Sequence, residues 1–156
     1  MPGRITLRPR SPADDAFLRE VYASTRAAEL ALVNWSDAEK AAFLRMQFNA
    51  QHQSYQAQFP GADYLVILAG EEPIGRLYLA RAAGELRILD LALLPAHRNQ
   101  GTGSALLNDI LAEATAVTQP VRLHVERFNP ARRLYERLGF TVIGEGPIYL
   151  ELEKRM

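Results

Sequence analysis

Residues Leu91–Leu107, with the sequence LALLPAHRNQGTGSALL, decide the fold of this chain. A short apolar run is followed by a glycine-containing turn and then by apolar residues at helical spacing. This order predicts a buried strand, a turn and an amphipathic helix in succession. The first backbone N–H groups of a helix lack intrahelical partners and carry partial positive charge, so they attract anions. Because Gly101 and Gly103 let the backbone approach an anion without an intervening Cβ, the stretch predicts a cradle for pyrophosphate.

Three phosphate-binding patterns can be compared with this turn. A Walker A loop has a lysine followed by serine or threonine after its second glycine, whereas serine and alanine follow Gly103. A dinucleotide-binding fingerprint has a third glycine three residues after the second, where this chain has Leu106. The pattern that fits is Arg-x-x-Gly-x-Gly, formed by Arg98, Gly101 and Gly103. In isolation, such a short pattern is equally typical of a tight turn.

A second pattern favours the phosphate-binding interpretation. Residues 129–140 read NPARRLYERLGF, in which an asparagine, an alanine, a Leu-Tyr pair and a Gly-Phe pair follow in order. Together with the arginine–glycine turn, this stretch resembles the GNAT superfamily of acyl-CoA-dependent N-acyltransferases. The strand, helix, strand and loop that separate the two patterns are also those of the family. The resemblance covers residues 62–153 well, and the first sixty residues match only in the order of their elements.

The composition is that of an ordinary globular protein. The chain has 156 residues, of which 48% are hydrophobic and 23% charged, so residues 1–156 are expected to form a single domain. Lys and Arg number 18 together, as do Asp and Glu, so nothing favours a nucleic-acid partner. The lack of cysteine excludes disulfides and thiolate metal sites, and no metal is expected. Neither a signal peptide nor a membrane-spanning run is apparent, so we expect a cytoplasmic location and no membrane partner.

Hydrophobic periodicity and turn residues predict the element order β α α β β β α β α β β. This order implies an α/β (α+β) fold, with a mixed, mostly antiparallel sheet of about seven strands and helices on both faces, as in GNAT proteins. The strand–helix–strand unit around the glycine turn should be a right-handed parallel crossover. Helices are predicted at residues 11–31, 36–58, 103–115 and 130–138, and strands near residues 5–7, 64–69, 74–80, 85–94, 121–125, 140–143 and 148–152.

The resemblance implies that the glycine turn holds the pyrophosphate of coenzyme A through backbone amides, while Arg98 neutralises phosphate charge or fastens the loop. It also implies that residues 91–93 pair with the pantetheine arm and that an N–H near Leu93 donates to the thioester oxygen. Asn129 corresponds to a pantetheine-binding asparagine, although an N-cap ahead of Pro130 explains it equally well. The cofactor-binding residues expected on this basis are Leu91, Leu93, Arg98, Asn99, Gln100, Gly101, Thr102, Gly103, Ser104, Asn129 and Tyr135.

Catalytic roles follow from the same resemblance and from residue chemistry. Tyr135 corresponds to the family tyrosine beside the coenzyme sulfur, where a phenol with a pKa of about 10 stays protonated and can donate. Its alternative role is core packing on one helical face. The expected base is Asp90, followed by Glu126 and then His124, while ordered water serves in many family members. A regular pleat would place Asp90 on the face of Ile88, among apolar neighbours that raise the pKa of a carboxyl group.

The second predicted helix and the sheet contain the candidate acceptor-binding residues. Phe48, Gln51 and Tyr55 mix aromatic and amide side chains on that helix. This mixture is typical of the wall of a binding site and, equally, of a partly exposed helix with mixed faces. Tyr78 and Arg87 are further candidates at the sheet surface, although each also fits an exposed strand position.

The resemblance implies an N-acetyltransferase. The acetyl group of acetyl-CoA, the expected co-substrate, would pass to a primary amine of a small molecule or a protein by direct attack in a ternary complex. The alternative is a non-catalytic acyl-CoA-binding sensor or scaffold, against which the presence of Tyr135 argues. A nucleotide-binding module is disfavoured by the missing lysine and third glycine. Many members of the family are dimers, so the resemblance also allows a homodimer.

Overall fold

A computed structural model describes residues 4–156, and Met1–Gly3 lie outside the described residues. Within this part of the chain, seven strands and four α-helices follow one another in the predicted order, with single turns of 3₁₀ helix at Pro12–Asp14 and Pro95–His97. The strands are β1 (Ile5–Pro9), β2 (Asp63–Ala69), β3 (Glu72–Ala82), β4 (Glu85–Leu93), β5 (Val121–Glu126), β6 (Thr141–Glu145) and β7 (Tyr149–Lys154). The helices are α1 (Asp15–Leu30), α2 (Asp37–Gln58), α3 (Thr102–Val117) and α4 (Arg132–Arg137).

The strands form one mixed sheet in the order β1-β2-β3-β4-β5-β7-β6. Each neighbouring pair is antiparallel except β4 and β5, which run parallel. Parallel neighbours need a crossover connection, and α3 provides it here. The predicted fold class, a mixed and mostly antiparallel sheet, is therefore confirmed.

Helices cover both faces of the sheet, as two adjacent residues of β2 show. Val66 and Ile67 are both fully buried, and neighbouring side chains in a strand point to opposite faces. Val66 packs in a cluster with Leu18 of α1 and Phe48 of α2, whereas Ile67 packs in a cluster with Leu107 of α3. The sheet is therefore the middle layer, with α1 and α2 on one face and α3 on the other.

The helix ends agree with the sequence where a capping residue marks them. The Ser36 hydroxyl accepts from the Glu39 N–H at 3.1 Å, and the Glu39 carboxylate accepts from the Ser36 N–H at 3.2 Å. This capping box begins α2 where it was predicted. The first predicted helix is divided instead, since residues 12–14 form a 3₁₀ turn and α1 begins at Asp15. The last helix is shorter than predicted and begins at Arg132.

The parallel pairing of β4 with β5 is short. It consists of three residue pairs, Leu86 with Val121, Arg87 with Arg122 and Ile88 with Leu123. Beyond Ile88 the two strands separate. The remaining part of β4, residues 89–93, therefore has β3 on one side and an opening on the other.

A β-bulge accompanies the separation. Tyr78 of β3 pairs with Asp90, and the next residue, Leu79, pairs with Ile88, so Leu89 is an extra residue of β4. One extra residue exchanges the two faces for the rest of a strand. Asp90 therefore lies on the face covered by α1 and α2, opposite Ile88. The prediction that Asp90 shares the face of Ile88 is wrong because Leu89 interrupts the pleat.

Gly75 permits close approach of β3 to the end of β4. A Cβ at this position would overlap the Ala92 carbonyl oxygen and lie 2.9 Å from Leu93 Cδ2. We expect Gly75→Ala to lower the free energy of unfolding by about 1–3 kcal/mol, the usual range for an overpacked site. Urea denaturation measures this change. Gly61→Ala is the matched control, because a Cβ there has no neighbour within 4 Å, and equal stability of the two variants would contradict the close approach.

Candidate active site

The opening between β4 and β5 exposes backbone groups of β4. The Leu94 N–H donates to the Ile74 carbonyl oxygen of β3 at 2.9 Å. Successive residues of a strand direct their N–H and C=O groups to opposite sides, so Leu93 and Leu91 direct theirs away from β3. The Leu93 carbonyl oxygen accepts from Arg98 Nε at 2.9 Å, in agreement with this direction. The opening is therefore lined by backbone N–H groups without a strand partner.

The glycine turn leads directly from this strand into α3. Asn99 and Gly101 both have left-handed backbone conformations, with φ of 60° and 82°. The Ala105 N–H donates to the Gly101 carbonyl oxygen at 3.0 Å and makes the first turn of the helical ladder. The preceding N–H groups, those of residues 102–104, have no acceptor within the helix. The predicted strand–turn–helix arrangement is confirmed, and these N–H groups can hold an anion.

Arg98 fastens the turn. Arg98 bonds to Leu93, and its Nη2 also lies 3.4 Å from the Ser24 hydroxyl of α1. Within the turn, Gln100 Nε2 donates to the Ala96 carbonyl oxygen at 3.1 Å. Two roles were expected for Arg98, and these contacts are those of a residue that fastens the loop. Charge neutralisation at a phosphate remains a prediction.

Tyr135 lies in the core beside the opening. Its side chain is 6% exposed, and its ring packs edge-on against Phe140 with the ring centroids 5.6 Å apart. Burial, and secondarily the negative charge of Asp90, raises the pKa of the Tyr135 phenol. The phenol is therefore protonated at neutral pH and can act as a proton donor. The core packing of Tyr135 is confirmed, and its role as general acid remains a prediction.

Asn129 occupies the loop that leads into α4. Its Oδ1 accepts from the Ala131 N–H at 2.9 Å, and its carbonyl oxygen accepts from the Arg132 N–H at 3.1 Å. These are the contacts of a turn-forming asparagine, and the interpretation of Asn129 as the helix cap is wrong because Ala131 is the N-cap of α4. The pantetheine contact remains a prediction.

Asp90 is ion-paired. Its Oδ2 accepts from Arg76 Nη2, which also donates to Gln51 Oε1 of α2 at 3.0 Å. The Asp90 side chain is 19% exposed, whereas that of Arg76 is 2% exposed. The sequence predicted a carboxylate among apolar neighbours, and the bulge at Leu89 brings it to a buried guanidinium instead.

The two other candidate bases lie on β5, on one face of that strand as predicted. Glu126 Oε1 accepts from Arg26 Nη1 of α1 at 2.9 Å, and its side chain is 36% exposed. His124 has an exposed side chain, 3.8 Å from Glu151 Oε2 and 3.4 Å from Arg87 Nη1. His124 therefore belongs to a charged surface of the sheet, while Glu126 lies under α1.

Of the three acceptor candidates on α2, Phe48 lies in the core, whereas Tyr55 and Gln51 contact the sheet beside Asp90. Phe48 is 3% exposed and stacks on His52, so it faces the protein interior. The Tyr55 hydroxyl donates to the Leu89 carbonyl oxygen at 3.0 Å and holds the bulge, while Gln51 contacts Arg76. Burial, with a contribution from Asp90, raises the pKa of the Tyr55 phenol.

The two sheet candidates do not occupy exposed strand positions. Tyr78 is 1% exposed, and its hydroxyl is buried without a hydrogen-bond partner among residues 4–156. Arg87 donates to Glu85 Oε2 and to Glu151 Oε1, both at 2.9 Å, and its side chain is 16% exposed. The alternative interpretation of both as exposed strand residues is therefore wrong.

Sequence reasoning missed two arginines beside the candidate bases. Arg76 alternates with Tyr78 along β3, so the periodicity of that strand placed a charge on a buried face and was a usable signal. Arg26 lies on α1, 100 residues before Glu126, and no local pattern connects the two. Long-range ion pairs of this kind become visible only in the folded chain.

Among residues 4–156, no group of three His, Cys, Asp or Glu side chains is arranged to hold a metal ion. None of the helices in the same range combines the length and the apolar character that crossing a bilayer requires.

Solved structures with the same fold include several acetyltransferases. The PaiA N-acetyltransferase from Thermoplasma acidophilum, in complex with coenzyme A, is 22% identical, with a TM-score of 0.73 over 98% of this chain and 99% of that one. An acetyltransferase from Thermus thermophilus is 21% identical, with a TM-score of 0.72 over all of both chains. Arabidopsis thaliana Naa50, in complex with the bisubstrate analogue CoA-Ac-MVNAL, is 18% identical, with a TM-score of 0.64 over 97% of this chain and 99% of that one.

These likenesses establish the fold, and the sequence establishes the family. No curated protein has a significantly matching sequence. The family model of the acetyltransferase (GNAT) domain matches residues 60–142, just over half of the chain. The matched segment contains the bulged strand, the glycine turn and Tyr135. The chain therefore belongs to the GNAT acetyltransferase family and is an acyltransferase that uses acetyl-CoA.

Proposed function

We propose that this protein is an N-acetyltransferase that transfers the acetyl group of acetyl-CoA to a primary amine of a small molecule or a protein. The transfer occurs by direct attack of the amine within a ternary complex. One observation carries the proposal: β4 separates from β5 directly before the glycine turn, with Tyr135 beside the opening. This arrangement brings backbone donors, an anion site and a protonated phenol together.

The donor half of the site consists mainly of backbone. The N–H groups of residues 102–104 hold the pyrophosphate, and Arg98, Asn99, Gln100 and Gly101 shape the turn that presents them. Leu91 and Leu93 offer backbone groups to the pantetheine arm, in place of the strand partner that β5 no longer provides. Asn129 closes this side from the α4 loop. A bound acetyl-CoA supplies the acetyl group as a thioester.

The chemistry requires three protein functions. The Leu93 N–H donates to the thioester oxygen and stabilises the negative charge that develops there. Tyr135 donates a proton to the departing sulfur. Asp90 receives the proton that the attacking amine loses, with Glu126 and then His124 as the next candidates, and ordered water as the alternative to all three. Asp90 is the first candidate because it lies close enough to Tyr135 for its negative charge to help raise the pKa of that phenol.

The acceptor half lies on the face of α1 and α2. Two residues of α2 are connected to the proposed base: Tyr55 bonds to the Leu89 carbonyl oxygen directly before Asp90, and Gln51 shares Arg76 with it. Phe48 and Tyr78 shape this side from the core, and Arg87 lies in the adjoining charged surface. Aromatic rings beside a carboxylate suit an amine that arrives as a cation and loses one proton to solvent before it attacks.

The decisive test separates an enzyme from an acyl-CoA-binding sensor. We expect acetyl-CoA to raise the melting temperature of the protein, because a ligand that binds only the folded state stabilises it. We also expect release of free coenzyme A thiol when acetyl-CoA is incubated with a panel of primary amines and amino-terminal peptides. Stabilisation without release for any amine would support the sensor, and stabilisation by ATP or NAD alone would contradict both.

The turn can be tested with a pair of alanine variants. Gly101 has a φ of 82°, so Gly101→Ala introduces backbone strain of about 1–2 kcal/mol, and its relief displaces the N–H groups. We expect the Kd for coenzyme A to rise about tenfold, as measured by titration calorimetry. Gly84→Ala is the matched control, because Gly84 has nearly the same φ of 84° and lies in the turn between β3 and β4, at the other end of β4 from the glycine turn. Wild-type affinity of Gly101→Ala would contradict the cradle.

The proton donor can be tested by removing one oxygen. Tyr135→Phe retains the packing against Phe140 and is expected to lower kcat about 100-fold, within the usual contribution of a general acid. The Kd for acetyl-CoA should remain within a factor of about two, because the ring stays in place. Tyr64→Phe is the control, since that hydroxyl bonds to the Phe59 carbonyl oxygen away from the opening. An unchanged kcat for Tyr135→Phe would remove the general-acid role.

A further inference from the structure

Arg76 is a charged residue in the core of the protein. It lies in β3, is 1% exposed, and is among the largest side chains that are completely buried. The rings of Tyr22 and Tyr78 flank its guanidinium, with their centroids 5.7 Å and 5.0 Å from Cζ. Its Nε and Nη1 are buried without hydrogen-bond partners among residues 4–156. Nη2 alone makes hydrogen bonds, to Asp90 and Gln51.

The charge of Arg76 is compensated chiefly by Asp90. Burial lowers the pKa of Arg76, but the attraction of Asp90 and of neighbouring phenols offsets burial, and the pKa is raised overall. A buried ion pair contributes little to stability, since apolar residues of the same size often serve as well or better. Stability alone therefore gives no physical reason for placing this pair in the core.

The pair holds the Asp90 carboxylate in one orientation. Arg76 and Tyr78 lie on the same face of β3, and Asp90 is directly opposite Tyr78 in the register, so Arg76 is its diagonal neighbour. Nη2 links the Asp90 carboxylate to Gln51 of α2, which fixes the guanidinium from the other side. The Tyr55 hydroxyl holds the carbonyl of Leu89, directly before Asp90. Backbone and side chain of Asp90 are thus both restrained.

We propose that Arg76 is a positioning residue for proton removal: it holds Asp90 at the opening in the orientation in which one carboxylate oxygen accepts the proton of the attacking amine. This inference rests on the proposed acetyltransferase function. In the step it serves, the bond between the amine nitrogen and the carbonyl carbon forms and the carbon–sulfur bond breaks. The proton from nitrogen passes to Asp90, and the proton of Tyr135 passes to sulfur, so charge and atoms balance.

The proposal predicts a change in kcat without a change in donor binding. Arg76→Lys retains the positive charge but cannot contact Asp90 and Gln51 with the planar geometry of a guanidinium. We expect its kcat to fall about tenfold or more, while the Kd for acetyl-CoA remains within a factor of about two. Arg81→Lys is the matched control, because Arg81 lies on the same strand in half-exposed ion pairs with Asp63 and Glu113. Its kcat should equal that of the wild type.

A second comparison remains informative if Arg76→Lys does not fold. Asp90→Asn removes the proposed base, and the double variant Arg76→Met/Asp90→Asn leaves neither buried charge. If Arg76 acts through Asp90, the two variants have the same kcat within a factor of about two, because the second substitution has nothing further to disturb. A kcat of the double variant well below that of Asp90→Asn would mean that the two substitutions act independently, and would overturn the proposal.

The outcomes distinguish this inference from the proposed function. If the wild-type protein releases no coenzyme A with any amine of the panel, the proposed function and the positioning role are both refuted. A wild-type protein that turns over, with an Arg76→Lys variant of wild-type kcat and normal folding, refutes only the positioning role. Loss of kcat in Arg76→Lys with unchanged acetyl-CoA affinity, combined with equal kcat in the two Asp90 variants, supports it. Circular dichroism and the melting temperature with acetyl-CoA confirm folding of each variant.

Discussion

The short pairing of β4 with β5 is the constraint on which the rest of the site depends. After three residue pairs, the parallel ladder ends at Ile88, and the following part of β4 keeps only β3 as a neighbour. Backbone N–H and C=O groups that would normally be paired inside a sheet then face an opening. The glycine turn follows at once and adds the start of α3 to the same opening. A cofactor site made of backbone needs this interruption of the sheet.

The bulge at Leu89 gives the two faces of β4 different tasks. Before it, Ile88 packs into the core under α3. After it, Asp90 points to the opposite face, where Arg76 and the phenols of α2 and β3 surround it. One inserted residue therefore makes an apolar strand the border between the core and the proposed reaction centre. The buried guanidinium of Arg76 costs stability, because a charge in the core needs a partner held close to it.

Sequence reasoning was most successful where the physics is local. Ser36 and Glu39 form the capping box that begins α2, and the glycine pattern indicates the turn before α3, because both depend on a few adjacent residues. Ion pairs were less accessible. Arg76 lies 14 residues from Asp90 and Arg26 lies 100 residues from Glu126, so the contacts of both candidate bases depend on the packing of distant elements.

The order of elements, the parallel unit around the glycine turn and the family were determined by the sequence alone, because hydrophobic period and turn chemistry are properties of neighbouring residues. The face of Asp90, the burial of Tyr78 and the orientation of the Leu93 N–H were decided by the tertiary structure. Strand register is set by pairing between strands, and a single bulge reverses every later side chain. The residue pattern of one strand does not indicate where the neighbouring strand ends, and the proposed reaction centre lies at that point.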